Sequence, residues 1–219
     1  MAKFSGLHLL FFSFIIATDA VSVVSGTVFT IQNSCSFPGW PGILTGNGGA
    51  QLNDGGLTLN PGASIDVSAP AGWSGRIWGR TGLRHCGNKL RCAGAGGVPP
   101  KDFYDVSLVD GYNVQMGVTT RGGSGDCQNI GCVADLNGRC PNELRVMDGA
   151  NVVACKSACE AFCKPEYCCT GAFNTPETCP PTDYSRIFKE ACPKAYAYDD
   201  ASSTFTCANA NYSIIFCAR

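Results

Sequence analysis

Asp105 and Asp110 fall in the run Phe103-Tyr104-Asp105-Val106-Ser107-Leu108-Val109-Asp110-Gly111-Tyr112-Asn113, and this pair of carboxylates is the part of the sequence best suited to chemistry. Separated carboxylates bind sugar hydroxyls or, when one is protonated and the other ionised, cut a glycosidic bond. The run reads as a strand entering a turn. Tyr104, Val106 and Leu108 share one face, Phe103, Asp105, Ser107 and Val109 the other, and Asp110-Gly111 supplies a turn that tolerates positive φ. Strict alternation puts the two carboxylates on opposite faces, so they share a site only if Asp110 belongs to the turn. The plainer alternative is that both are solvated strand-edge and turn residues. Arg76 is the natural counter-charge, because Gly75 to Arg80 alternates with Arg76 and Trp78 on one face and Ile77 on the other. Tyr112 is the aromatic expected at the rim of such a site. Trp40, Trp73 and Trp78 have faces that stack on sugars, but two or more of them are expected to pack in the core or on the sheet. His85, alone in a basic loop with no nucleophile motif near it, reads as a surface residue.

The elements that position these residues begin after a leader. Lys3 precedes the apolar run Leu7 to Ala17, and small residues follow at Val24 and Gly26, so residues 1–26 read as a secretory signal peptide with the mature chain starting near Thr27. The apolar run is shorter than the roughly 20 residues a membrane span requires. About 190 residues remain, enough for one substantial β domain with an attachment. With 16 Lys and Arg against 17 Asp and Glu there is no basic field for nucleic acid. All 15 cysteines lie beyond the leader, which argues for a disulfide framework in an oxidising compartment rather than for thiolate metal sites. No metal and no cofactor is expected. An odd count leaves at least one thiol without an intramolecular partner.

Along the chain, Val28 to Gln32, Ser64 to Val67 and Gly75 to Arg80 alternate as strands separated by Gly and Pro turns, the pattern of a sandwich or flattened barrel. Residues 81–98 shift to glycine and basic residues and read as a stunted insertion off the sheet. Asn113 to Thr119 reads as a return strand. Val152 to Phe162 is expected to form a helix carrying Cys155, Cys159 and Cys163 on one face, and Tyr184 to Ala191 a second. Strand patterning resumes at Thr204 to Thr206 and at Tyr212 to Phe216. The sequon Asn211-Tyr212-Ser213 falls inside that last strand, a poor place for glycosylation.

Several stretches together resemble the thaumatin-like, or osmotin-like, plant pathogenesis-related proteins. They are Trp73-Ser74-Gly75-Arg76-Ile77-Trp78-Gly79-Arg80-Thr81-Gly82, the carboxylate run, Cys140-Pro141-Asn142-Glu143-Leu144, Ala154-Cys155-Lys156-Ser157-Ala158-Cys159, Tyr167-Cys168-Cys169, Tyr184 to Tyr198, Asp199-Asp200 and Ser203-Thr204-Phe205-Thr206-Cys207. The resemblance implies a mainly β fold: a thaumatin-like β-sandwich with a helical disulfide-rich lobe and a truncated small loop lobe. The boundaries implied are 27–80, 99–133 and 193–219 for the sandwich, 81–98 for the loop lobe and 134–192 for the helical lobe. It also implies bridges Cys35–Cys217, Cys86–Cys92, Cys127–Cys207, Cys132–Cys192, Cys140–Cys155, Cys159–Cys168 and Cys169–Cys179. Cys163 is left as a free thiol, expected to be buried as a small hydrophobe.

In such proteins an acidic cleft is lined by one Arg, one Glu and three Asp. Arg76, Asp105, Asp110 and either Asp199 or Asp200 match four of these positions. The Glu, which normally follows the double proline in a Thr-Leu-Ala-Glu run, is missing, since Pro99-Pro100 leads almost directly into Lys101-Asp102-Phe103. The hairpin between Gly82 and Cys86 is missing too, so this is a shortened form. Asp102 is a poor replacement for the Glu. The expectation is therefore a secreted, apoplastic, monomeric defence protein that binds β-1,3-glucan or a related cell-wall polysaccharide, with antifungal effect. A weak endo-β-1,3-glucanase and a protein-binding inhibitor of foreign hydrolases are the alternatives.

Overall fold

The computed structural model describes residues 26–46, 48–81, 85–95, 101–198 and 201–219. The expected signal peptide lies outside these residues but for Gly26. Of the first four strands, all but the second form where alternation in the sequence predicts them. The four are β1 (Thr27–Asn33), β2 (Gly42–Thr45), β3 (Ser64–Ala69) and β4 (Ser74–Thr81). Then follow β5 (His85–Ala95), β6 (Lys101–Ser107), β7 (Met116–Ser124) and β8 (Ile130–Cys132). A two-stranded hairpin, β9 (Arg145–Asp148) and β10 (Asn151–Cys155), stands apart from the large sheet, which ends with β11 (Phe205–Phe216).

β11 joins the two layers. Its first residues, Phe205 to Cys207, pair antiparallel with β6, and from Ala208 onward it pairs with β7. Its far end also lies parallel to β1. Just past the switch, Asn209, which the β7 register skips between Ala208 and Ala210, has φ of 56°, a local bend of the kind by which one strand serves two sheets. The layers β2-β4-β5-β6 and β3-β1-β11-β7-β8 enclose a core of Phe29, Ile31, Ile77, Tyr104, Val106, Met116, Val118, Tyr212 and Ile214, all buried. A chain of ring contacts runs through it. Trp73 meets Phe29 at 5.2 Å, Phe29 meets Tyr212 at 5.9 Å, and Tyr212 meets Tyr104 at 5.1 Å.

The sequence reading of 81–98 as an insertion off the sheet needs correction. β5 is an interior strand, bonded to β4 on one side and to β6 on the other. Its Gly-rich, basic composition gives a weak strand signal, and pairing on both edges supplies what propensity lacks.

A second core forms below the sandwich from Leu108, Tyr112, Leu136, Leu144, Phe188 and Ala195. Here the predicted helix 152–162 is also corrected. The β-branched Val152 and Val153 stay extended in β10, and Ser157 caps a short α1 (Ala158–Phe162) by accepting from the Glu160 amide at 3.1 Å. Cys155 therefore lies on a strand, and only Cys159 is helical. α2 (Pro165–Cys168) follows, and the second predicted helix forms as α3 (Asp183–Ala191), opened by a Thr182/Ser185 capping box.

Six disulfides are present among the described residues: Cys35–Cys217, Cys127–Cys207, Cys132–Cys192, Cys140–Cys155, Cys159–Cys168 and Cys169–Cys179. They are the pairs the resemblance implies. The side chains of the seventh pair, Cys86 and Cys92, lie outside the described residues. Cys163 is free but exposed, not buried as expected. It caps α1 with φ of 51°, which turns it off the packed face.

Candidate functional site

The register of β4, β5 and β6 decides which predicted site residues meet. Arg76 pairs with Arg91, and Arg91 with Asp105. Arg76 and Asp105 therefore lie on one cross-strand row, two strand spacings or about 10 Å apart, with β5 between them. Ile77, Tyr104 and Val106 fill the core, so alternation turns Arg76 and Asp105 to the outer face. Arg76 is exposed there and Asp105 half-buried.

Asp110 joins that face through its turn. β6 ends at Ser107, and the Gly111 amide donates to the Leu108 carbonyl at 2.9 Å, so Asp110 lies in the turn. Lys89 lies in register with Trp78 and Ser107, one row below Asp105. Its Nζ reaches Asp110 Oδ2 at 2.8 Å, with side-chain exposures of 17% and 36%. This ion pair draws the turn carboxylate toward the surface that carries Asp105, the condition under which the two share a site. Lys89 had no part in the sequence reading, since only the β5 register aims it at the turn. Phe103, 40% exposed and on the Asp105 face, was also missed as a candidate aromatic. Alternation along β6 was the signal that could have found it.

One expectation is corrected. Tyr112 is not a rim residue: it is 1% exposed in the second core, where its hydroxyl donates to the Ala134 carbonyl at 2.9 Å. Burial first, then the Asp135 charge, push its pKa far above the usual phenol range. Asp102 points inward, on the Tyr104 side of β6, and accepts from the Tyr212 hydroxyl at 2.9 Å. Desolvation raises its pKa, and the Tyr212 bond partly offsets that rise. It cannot stand in for the missing Glu on the outer face. Trp78 lies across Gly42 of β2, where a Cβ would meet its ring at 2.5 Å, and Trp73 is buried with its indole donating to Thr45 Oγ1 at 3.0 Å. Both serve packing, as expected. Asp199, Asp200 and the His85 side chain lie outside the described residues. Asn211 is committed to the sheet, its Oδ1 accepting from the Val28 amide at 2.8 Å.

Among the described residues no group of His, Cys, Asp and Glu has the arrangement of a metal site, and no helix is long and apolar enough to cross a membrane. A mainly β sandwich, a disulfide-clamped lobe with short helices, and a carboxylate-bearing turn at their junction define the class of protein. The chain belongs to the thaumatin family, whose model matches residues 33–218. It is 55% identical to pathogenesis-related protein 5 of Arabidopsis thaliana, over 99% of this chain and 100% of that protein. That alignment spans 244 positions against 219 residues here, so the relative carries residues with no counterpart in this chain. A pathogenesis-related thaumatin-like protein 3.5 of Cryptomeria japonica is 52% identical over 92% of this chain and 97% of its own. A glucan endo-1,3-beta-glucosidase of Prunus avium is 45% identical over 86% and 89%. Membership of this disulfide-rich family is consistent with a secreted, extracellular protein.

Proposed function

We propose that this chain is a secreted defence protein that binds β-1,3-glucan, or a closely related neutral cell-wall polysaccharide, on the outer face of β4, β5 and β6. The observation that carries the reading is the gathering of Arg76, Asp105 and the Lys89–Asp110 pair on one surface. Ionised carboxylates accept from sugar hydroxyls, Arg76 donates to them, and the exposed Phe103 ring offers a face for the CH side of a pyranose.

Binding is favoured over hydrolysis. Cleavage requires a protonated acid and an ionised base or nucleophile at matched separation. Asp110 is held by the Lys89 ammonium, Asp102 faces the interior, and the Glu expected beside them is missing from the sequence. The second reading, a weak endo-β-1,3-glucanase, is favoured by the name of the Prunus avium relative.

Incubating purified protein with insoluble β-1,3-glucan and scoring both depletion and new reducing ends tests the two together. Wild type is expected to deplete onto the polymer without releasing ends, and Asp105→Asn to bind about tenfold more weakly through loss of a charged acceptor. Equal depletion by the variant would remove the outer face from the reading. Release of reducing ends would favour the glucanase.

A further inference from the structure

Asn211-Tyr212-Ser213 is the single Asn-X-Ser or Asn-X-Thr sequon of the chain, and none of the roles described above uses it. Once folded it is a poor acceptor, because β11 is bonded there to β1 on one edge and to β7 on the other. Two features of the folded strand nonetheless fit an asparagine modified before the strand docks.

The first is the state of the Asn211 amide. Asn211 is exposed, and its Oδ1 accepts from the Val28 amide at 2.8 Å, whereas its Nδ2 makes no hydrogen bond among the described residues. An N-linked sugar replaces one Nδ2 proton and leaves Oδ1 an acceptor, so the Val28 bond survives the modification. Arg121, the β7 partner of Asn211, is exposed as well, and so are the residues that follow it to Ser124. A bulky substituent has room there.

The second feature is Ser213. Tyr212 and Ile214 enter the core, so alternation puts Asn211 and Ser213 together on the outer face. Ser213 is nevertheless 2% exposed, flanked by Thr30 of β1 and Thr119 of β7, and its Oγ has no hydrogen-bond partner among the described residues. The Thr30 hydroxyl donates elsewhere, to Asp66 Oδ1 at 2.7 Å. A buried hydroxyl left unpaired destabilises a fold, and alanine at this position would avoid the penalty. The sheet gains nothing from the Ser213 hydroxyl, whereas the sequon requires it.

We infer that Asn211 is an N-glycosylation site, modified during secretion before β11 closes between β1 and β7. The inference rests on the reading of the chain as secreted and is independent of the glucan reading. The donor is an oligosaccharide carried on a lipid diphosphate and presented by a membrane-bound transferase. Asn211 Nδ2 attacks the anomeric carbon, the new C–N bond replaces the C–O bond to the diphosphate, the lipid diphosphate leaves, and one Nδ2 proton passes to a base of the transferase. β11 is the last strand, and Cys217 directly after it closes the bridge to Cys35, so the sequon stays open until the final strand docks. In the finished sandwich the sugar stands on the outer face of β1, β11 and β7, on the opposite side from β4, β5 and β6.

The test secretes the full-length chain from cultured plant cells, alongside Asn211→Gln and Ser213→Ala. Each purified protein is digested with a glycoamidase that accepts fucosylated cores, and its peptides are mapped by mass spectrometry. Wild type is expected to lose mass on digestion, with Asn211 converted to aspartate, and the two variants to show no change. Secreted wild type with Asn211 unmodified would overturn the site, and that measurement needs no variant. A second arm compares the double variant Asn211→Gln/Ser213→Ala with Asn211→Gln alone, both without sugar. The double variant is expected to unfold with an equilibrium constant about tenfold smaller. An equal or larger constant would show that the fold itself uses the Ser213 hydroxyl, and would overturn its assignment to the sequon.

Discussion

Asp102 and Asp105 belong to one strand and meet opposite surroundings, because an odd spacing on a pleated strand exchanges faces. Asp105 looks out beside Phe103, whereas Asp102 is drawn inward to the Tyr212 hydroxyl. Burial raises the folded-state pKa of Asp102 above its ordinary 3.8, the Tyr212 bond notwithstanding. A carboxyl whose pKa is raised on folding contributes its full stability below the unfolded value. That contribution is lost as pH rises through the folded value, because the buried group must then ionise. Asp102→Asn keeps an acceptor for Tyr212 and never ionises. The melting temperature of the variant minus that of wild type is therefore expected to increase from about pH 3 to about pH 6, measured by calorimetry at a series of pH values. A difference that stays flat would mean Asp102 ionises in the folded protein as easily as in the unfolded chain.

At the scale of elements, the turn after β6 couples the two cores. Gly111 has φ of 100°, and a Cβ there would come within 2.6 Å of the Cys155 carbonyl. That close approach lets Tyr112 and Cys155 exchange amide-to-carbonyl bonds, both 2.8 Å, which fasten the turn to β10 of the hairpin. Leu108 and Tyr112, on either side of the turn, enter the second core, while Tyr104 and Val106 stay in the first. Gly111→Ala combines a left-handed strain with a backbone clash, so a loss of about 1–3 kcal/mol is expected in denaturant unfolding. Hydrogen exchange at the Tyr112 amide is expected to speed up more than exchange in β1. Equal acceleration at both sites would mean that the turn is no local fastener.

Over the whole molecule, the bridges act on very different lengths of chain. Cys35–Cys217 spans a separation of 182 residues and ties the ends of β1 and β11, which already run parallel, whereas Cys159–Cys168 spans 9. Loop-closure entropy gives about 5 kcal/mol for the first and about 2.5 kcal/mol for the second. Replacing Cys35 and Cys217 together by Ser is thus expected to lower the denaturation midpoint about twice as far as the same change at Cys159 and Cys168. The reverse order would show that the short bridge acts by shaping the folded lobe, not by restricting the unfolded chain.

Much of this was legible in residue order. β1, β3, β4 and β6 follow from alternating apolar residues, and α3 from inward Ile187 and Phe188 ahead of the Cys192-Pro193 stop. These are local properties, set within a few residues of backbone. Cysteine spacing misled at Val152 to Phe162, because positions four apart suit a helix while the β-branched residues and Ser157 hold β10 extended. The place of β5 inside the sheet, the burial of Tyr112 and the inward turn of Asp102 were not legible, since each depends on a partner distant in the chain. So too with the two carboxylates this chain offers for chemistry. The sequence by itself determined that Asp105 lies on a strand and Asp110 in a turn. Only the tertiary structure decided that they share a surface, because the reach of Lys89 from a neighbouring strand is a fact of register, not of order along the chain.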